Sequence, residues 1–589
     1  MKSKATSVTS WSFLAVAVAL GCSAKDEQKK DREHGSDTAG GGNAAGGSDP
    51  ISTDAGMGGV AGAEPSSSAG ASADAGTGGD DANQAGSNGE AGSGADGEGG
   101  EGGEGGEGGE LGPRAILWSD GFEAGFGDWS VEGGEWAIGA PSYQFGPDAH
   151  GGTSLAGTVL YGDYNDNKNA LLISPELTVP AASKRPRLKY AYWYSFGAKD
   201  HGEVLVRVGA GQWQAVAPKL LDQSASWSQG MVDLAPFAGK VVQVGYRLLS
   251  DDIEDYRTAG FYIDDVALEI GPMAFASPEG FEQNFGDWSV EGGQWAMGQP
   301  SYQFGPAAQE GTKLAGTVLY GDYGTSKDAR LITPEFVVPP ASQSPRIKYA
   351  QWFNFAAGDK GTVEIRVQGG AWAVLVPQLL GSGGSWSPAI VSLAAYAGES
   401  VQIAFRLESQ VTAGYRMAGW YIDQVSIDTG PQVFPAIEGF EAGFGDWSVE
   451  GGQWAIGQPS YQFGPTAATG TNCAGTILYG DYAASSDARL ISPELVLPAS
   501  TVKPRLKYSY WYNFAAGASG QPQIRLVGGE WKDIGAALTS NGASWSPAQL
   551  DLKDYVGKTI QVSFRLVSNS SSIYRNAGYY IDDVEYLQD

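Results

Sequence analysis

One segment recurs three times at a constant step, and that step limits what the chain can fold into. GFEAGFGDWSVEGG, GFEQNFGDWSVEGG and GFEAGFGDWSVEGG contain Phe122, Phe281 and Phe440, which lie 159 residues apart (281 − 122 and 440 − 281). The same step links Trp193, Trp352 and Trp511, and again Ile263, Ile422 and Ile581. The copies therefore align end to end without net insertion. A period this long describes a whole domain, because solenoid units repeat every 20–50 residues or so. The expected domains are 113–271, 272–430 and 431–589.

Within each copy, β-branched and aromatic runs are separated by Gly, Pro and Asn/Asp clusters. LKYAYWYSF, EVLVRV, VVQVGYRLLS and GFYIDDVALEI are the clearest in the first copy. Such runs read as strands. Many short strands joined by turns predict an antiparallel β-sandwich or jelly roll. The expected fold class is all-β: three tandem jelly-roll domains behind a disordered tether. The tryptophans Trp129, Trp136, Trp193, Trp213 and Trp227 recur in each copy and are expected mostly in the core.

The N-terminal 112 residues have another character. Lys2 and Lys4 precede an apolar run, Trp11 to Leu20, of signal-peptide length. It ends at Ala19-Leu20-Gly21-Cys22, which resembles a bacterial lipobox, although the leucine comes one residue late. The expectation is a leader over 1–21 and a lipid-anchored Cys22 at an outer membrane or cell surface. A cut after Ala19 would instead release a secreted protein. Residues 22–112 are Gly, Ala, Ser, Asp and Glu with almost nothing apolar, so they are expected to remain disordered. Eighteen acids and four bases fall between 23 and 110. A net charge of −30 argues against nucleic-acid binding, which needs a basic stripe to displace counterions.

The repeated pattern resembles the jelly-roll domains related to the MAM domain. These occur in bacterial cleaved-adhesin proteins and beside immune-inhibitor-A-type metalloproteases. The pieces that carry the resemblance are FE…GDW, GGEWAIGAPSYQFGP, AGTVLYGDY, LLISPEL, YAYWYSF, W…DLAPFAGK and GFYIDDV. It implies a structural calcium ion held by Glu123 with Asp264, Glu282 with Asp423, and Glu441 with Asp582. Hard oxygen ligands suit calcium. The alternative is that these acids cap turns or pair with Arg257, Arg416 and Arg575. The next residue is Asp265 or Asp583, but Gln424 in the middle copy. Neighbours on a regular strand point to opposite faces, so Asp264 and Asp265 are expected to face apart. The polar run Asp163 to Asn169 is a second cation candidate with a superficial likeness to a calcium loop; it lacks the glycine and the final glutamate of an EF-hand and is read alternatively as a solvated turn.

Ligand-binding candidates are the loop aromatics of SYQFGP: Tyr143 and Phe145, Tyr302 and Phe304, Tyr461 and Phe463. Exposed rings stack on sugars or anchor protein partners; buried ones close the end of a sandwich. Histidine occurs only at His34, His150 and His201, so the second and third copies cannot hold a Ser-His-Asp set or a His-zinc site. Cys473 stands where the other copies have Leu155 and Leu314 and is read as a buried hydrophobe. The expected function is therefore non-enzymatic: a surface lipoprotein displaying three adhesin-like modules for carbohydrate or protein ligands. The alternatives are a structural envelope protein and a non-catalytic accessory subunit of a secreted hydrolase or protease.

Overall fold

The computed structural model describes residues 113–224, 226–252, 258–410, 417–542, 544–569 and 576–588. The expected leader, the tether with Cys22 and His34, and Arg257, Arg416 and Arg575 lie outside the described residues. All described residues belong to one compact unit, Gly103–Asp589. No helix among them is long and apolar enough to cross a membrane.

The first repeat contains β1 (Ala115–Asp120), β2 (Ser130–Glu132), β3 (Ala137–Gly139), β4 (Leu155–Gly157), β5 (Asn169–Ile173), β6 (Leu177–Thr178) and β7 (Arg187–Ser195). It continues with β8 (His201–Val208), β9 (Gln214–Ala215), β10 (Leu220–Leu221), β11 (Ser228–Asp233), β12 (Val241–Leu249) and β13 (Gly260–Ile270). One sheet runs β11-β7-β13-β4-β3 and the other β10-β8-β12-β5-β2, all antiparallel. The chain crosses repeatedly between the two sheets, the winding of a jelly roll. The second and third repeats build matching sheet pairs. The all-β tandem sandwich expected from the strand runs is the observed fold.

Alternation along the strands makes the core. Leu188, Tyr190, Tyr192 and Tyr194 of β7 face inward onto Val242, Val244, Tyr246 and Leu248 of β12. Trp129 and Trp136 complete that core. The other three tryptophans do not join it. Trp193 and Trp227 cover the outer face of the first sheet with Tyr143 and Tyr262. Trp213 covers Leu171, Ile173 and Leu205 on the outer face of the second. The expectation of tryptophans mostly in the core is corrected here. Trp193 alternates with the inward Tyr192 and Tyr194 on β7 and so faces out, while Trp213 and Trp227 stand just before β9 and β11 and cover the sheet faces from there. Cys473 is free and fully buried, and burial pushes its thiol well above the ordinary range, as a buried hydrophobe requires.

Candidate functional site

At one end of the first sandwich a loop, Asp148 to Ser154, is tied down by two carboxylates distant in sequence, Glu123 just after β1 and Asp264 within β13. Glu123 accepts the backbone N–H groups of Thr153 and Ser154, each at 2.8 Å, and the Thr153 hydroxyl at 3.0 Å. Asp264, fully buried, accepts the N–H of His150 at 2.9 Å and of Gly151 at 3.1 Å on Oδ2, and the N–H of Asp265 at 2.8 Å on Oδ1. The arrangement recurs. Glu282 holds Thr312 and Lys313, and Asp423 holds Gln309 and Glu310. Glu441 holds Thr471 and Asn472, and Asp582 holds Ala468 and Thr469.

The two carboxyls of each latch are tuned oppositely. Burial pushes Asp264, Asp423 and Asp582 up to about 6. The N–H donors at Ser154 and Thr153 hold Glu123 below its ordinary value, and the same cause acts on Glu282 and Glu441.

Asp264 and Asp265 do not face apart. The pairing of β13 with β7 slips between Asp264 and Ala267, and Asp265 takes φ +46°. This β-bulge turns consecutive side chains toward the same loop, as bulges do. Asp265 Oδ2 lies 2.6 Å from His150 Nδ1. Gln424 and Asp583 adopt the same left-handed backbone in the other repeats.

The acids expected to hold calcium are thus used as acceptors for backbone N–H groups. Glu123, Asp264 and their counterparts have most of their lone pairs taken, and the third carboxylate that faces the loop in repeats 1 and 3, Asp265 or Asp583, is engaged by His150 or Thr469. Among the described residues no group of three or more His, Cys, Asp or Glu side chains converges to hold a metal. Calcium takes six to eight oxygens, and N–H groups aimed at a site oppose a cation. This donor set does not fit the ion.

The SYQFGP aromatics lie on the outer side of the first sheet. Tyr143 donates to Asp163 at 2.5 Å and meets the Phe145 ring edge-on, centroids 5.4 Å apart. Tyr302 with Phe304 and Tyr461 with Phe463 repeat that pair at 5.4 Å, anchored by Asp322 and Asp481. The tyrosines are half-buried; Phe145 is 38% exposed, and Phe304 and Phe463 are half-buried. Asp163 also accepts the Thr258 N–H, so its part in the polar run 163–169 is to fix a ring. Asn165 donates to Glu135, a turn contact.

A third constellation escaped the sequence reading. The Arg207 guanidinium sits 4.5 Å above the Trp213 ring and donates twice to the Gln243 side chain. Arg366 over Trp372 with Gln402, and Arg525 over Trp531 with Gln561, repeat it. The signal was present in the sequence, since Arg, Trp and Gln each recur at the 159-residue step, but only the pairing of β8 with β12 puts Arg207 beside Gln243.

The fold and the repeated latches and rings define a class: tandem antiparallel β-sandwich modules. The Cleaved Adhesin Domain family model matches residues 127–246 and 444–522. A stretch of 150 residues is 35% identical to Bacillopeptidase F of Bacillus subtilis (strain 168), covering 25% of this chain and 10% of that protein. The chain thus spans about a tenth of that relative's length. Among solved structures, the K1 cleaved adhesin domain of Lys-gingipain from Porphyromonas gingivalis W83 is 22% identical with a TM-score of 0.18, covering 27% of this chain and 98% of that one. The K2 domain of Lys-gingipain is 18% identical with a TM-score of 0.19, covering 26% and 98%. TmCBM61, solved in complex with beta-1,4-galactotriose, is 17% identical with a TM-score of 0.19, covering 26% and 95%.

Proposed function

We propose that this chain is a surface-displayed adhesin whose three sandwiches bind carbohydrate or protein ligands without catalysing a reaction. The Tyr143–Phe145 pair carries the reading. It stands at the same place in every repeat, held edge-on by a tyrosine that an aspartate pins, with its phenylalanine partly exposed. A preset ring loses little side-chain entropy on binding, which favours affinity. Three such sites on one chain gain avidity against a repetitive surface. Lipid attachment at Cys22 to an outer membrane, with the acidic segment as spacer, completes the proposal; release as a secreted protein is its alternative. Mass spectrometry of the mature N-terminus distinguishes them, as acyl chains on Cys22 or a free Leu20.

The test is glycan-array binding of the full chain carrying Cys22→Ser, beside the same chain with Phe145→Ala, Phe304→Ala and Phe463→Ala. Selective binding lost in the triple variant supports the reading. Binding that the triple variant keeps places the ligand elsewhere, and a blank array removes carbohydrate as the ligand class. The similarity to Bacillopeptidase F favours a second reading, a non-catalytic accessory part of a secreted protease. Capture of a protease from culture medium by the full chain would favour that one.

A further inference from the structure

Repeat 1 meets repeat 2 through two faces that differ from each other. The trailing face of repeat 1, built on β7 and β11, supplies side chains. The leading segment of repeat 2, Phe285 to Trp295, supplies mainly backbone carbonyls. Tyr192 donates to the Val290 carbonyl at 3.1 Å, Tyr194 to Gly292 at 3.0 Å, Ser228 to Trp295 at 2.8 Å and Gln229 to Trp288 at 2.7 Å. Asp287 is buried against Arg114 and Lys189, at 2.8 and 3.4 Å. Repeat 2 meets repeat 3 through the same faces, with Lys348 donating to the Gly445 carbonyl at 3.0 Å and Tyr479 to Gly384 at 2.7 Å.

One copy of each face is left open among the described residues. On the leading side, Phe285 and Asp287 are buried, but their counterparts in repeat 1, Phe126 and Asp128, are exposed. Lys327 is buried and donates into repeat 1 at Leu221 and Gln223; its counterpart Lys168 turns back to Glu135 in its own repeat. On the trailing side, Tyr192 and Tyr194 are fully buried, whereas the matching Tyr510 and Tyr512 of repeat 3 are half-buried. The Lys189 side chain is 12% exposed and its counterpart Lys507 is 47% exposed.

The open faces keep most of the chemistry of the closed ones, although Pro547 and Gln432 stand where Gln229 and Arg114 do. Tyr510, Tyr512, Ser546 and Lys507 stand where Tyr192, Tyr194, Ser228 and Lys189 do, whereas repeat 2 has Gln351 and Phe353 at the tyrosine positions. Asp128 stands where Asp287 does. The acceptors are backbone carbonyls of a segment whose sequence is nearly the same in all repeats, so repeat 1 offers them as repeat 2 does.

From this continuity with an interface already formed twice in the chain, we propose that copies of the protein join head to tail. Repeat 3 of one copy docks on the leading face of repeat 1 of the next. A contact between two different faces does not close on itself as a two-fold dimer does, so it propagates into open chains or rings. For a surface protein this links neighbouring molecules laterally and multiplies its binding sites.

Sedimentation velocity of the full chain carrying Cys22→Ser, which removes the lipid, tests this over a wide range of concentrations. The sedimentation coefficient is expected to rise with concentration. Gly134→Asn should abolish the rise. A Cβ at Gly134 meets nothing within 4 Å, but at the matching Gly293 it would lie 2.4 Å from the Tyr194 ring. Asparagine tolerates the φ of +76° found there. Asp128→Lys and Lys507→Glu should each abolish association alone and restore it when the two variants are mixed. A monomer at every concentration overturns the proposal, as does association that these substitutions leave untouched. A monomer that associates only once residues 23–112 are removed also overturns it, and assigns the leading face to the chain's own acidic segment.

Discussion

The Asp264 carboxylate accepts the backbone N–H of His150 at 2.9 Å across 114 residues of sequence, and Asp423 with Gln309 and Asp582 with Ala468 do the same across the same 114. A strand near the end of each repeat thereby fixes a loop near its start.

This latch makes stability depend on pH in a definite direction. The folded values of Asp264, Asp423 and Asp582 are raised to about 6 from an ordinary 3.8. A carboxyl raised by folding binds its proton more tightly in the native state. Its contribution is complete below the unfolded value and is lost as the pH climbs through about 6. Glu123, Glu282 and Glu441 are lowered and act in the opposite sense, losing their contribution as the pH falls below the ordinary glutamate range. The melting temperature is expected to rise as the pH drops from about 7 to about 5, and to fall in stronger acid. Relief of the net negative charge acts in the same direction, so the decisive comparison is with Asp264→Asn, Asp423→Asn and Asp582→Asn combined. That variant should show a shallower rise; an identical pH profile would sink the assignment.

The architecture was legible because it rests on local signals. LKYAYWYSF and GFYIDDVALEI became β7 and β13, and turn residues mark their ends. The latch was half legible. The acids stood out, but a carboxylate that chelates a cation and one that accepts N–H groups look alike until the loop opposite is placed. The bulge at Asp265 had no local sign, since aspartate and glutamine both occupy that left-handed position. The ring pairs and the Arg207–Trp213 stack needed strand register, and the faces joining the repeats needed tertiary packing, which a period alone does not describe.

Asp287 is expected to be costlier to remove than its exposed counterpart Asp128. Its side chain is fully buried against Arg114 and Lys189, with Arg187 at 4.0 Å. Asp287→Ala removes a buried acceptor from Arg114, Lys189 and Arg187, but all three keep Glu269 at 3.1, 3.7 and 3.0 Å, so the cost should fall below the roughly 3–5 kcal/mol of an orphaned buried charge. Asp128→Ala removes the same residue from an exposed position and should stay within about 0.5 kcal/mol in the monomer. Denaturant unfolding at low protein concentration compares them. Equal effects would mean that the junction between repeats 1 and 2 contributes nothing to stability.

Gly260 is held to glycine twice over. Its φ is +97°, and a Cβ there would lie 2.0 Å from the Thr158 hydroxyl oxygen, which itself accepts the Phe261 N–H at 3.0 Å. Gly260→Ala should cost about 1–3 kcal/mol from backbone strain, with the clash added to it. Gly419 and Gly578 meet Thr317 and Thr476 at the same 2.0 Å. Alanine at any of the three should therefore lower the midpoint of thermal unfolding similarly, and an unchanged midpoint would show that the strand end relaxes around the substitution.

The latch also makes an expectation about calcium. To bind the ion between Glu123 and Asp264, the loop would have to withdraw the N–H groups of His150, Gly151, Thr153 and Ser154, which now point at those carboxylates. That exchange sacrifices charge-assisted hydrogen bonds, each stronger than a neutral one, for a site with too few oxygens. The full chain is therefore expected to melt at the same temperature in chelator and in millimolar calcium. A rise of several degrees with calcium, absent when Asp264, Asp423 and Asp582 are all replaced by asparagine, would show instead that the loop reorganises around the ion and that the hydrogen-bonded latch is its calcium-free form.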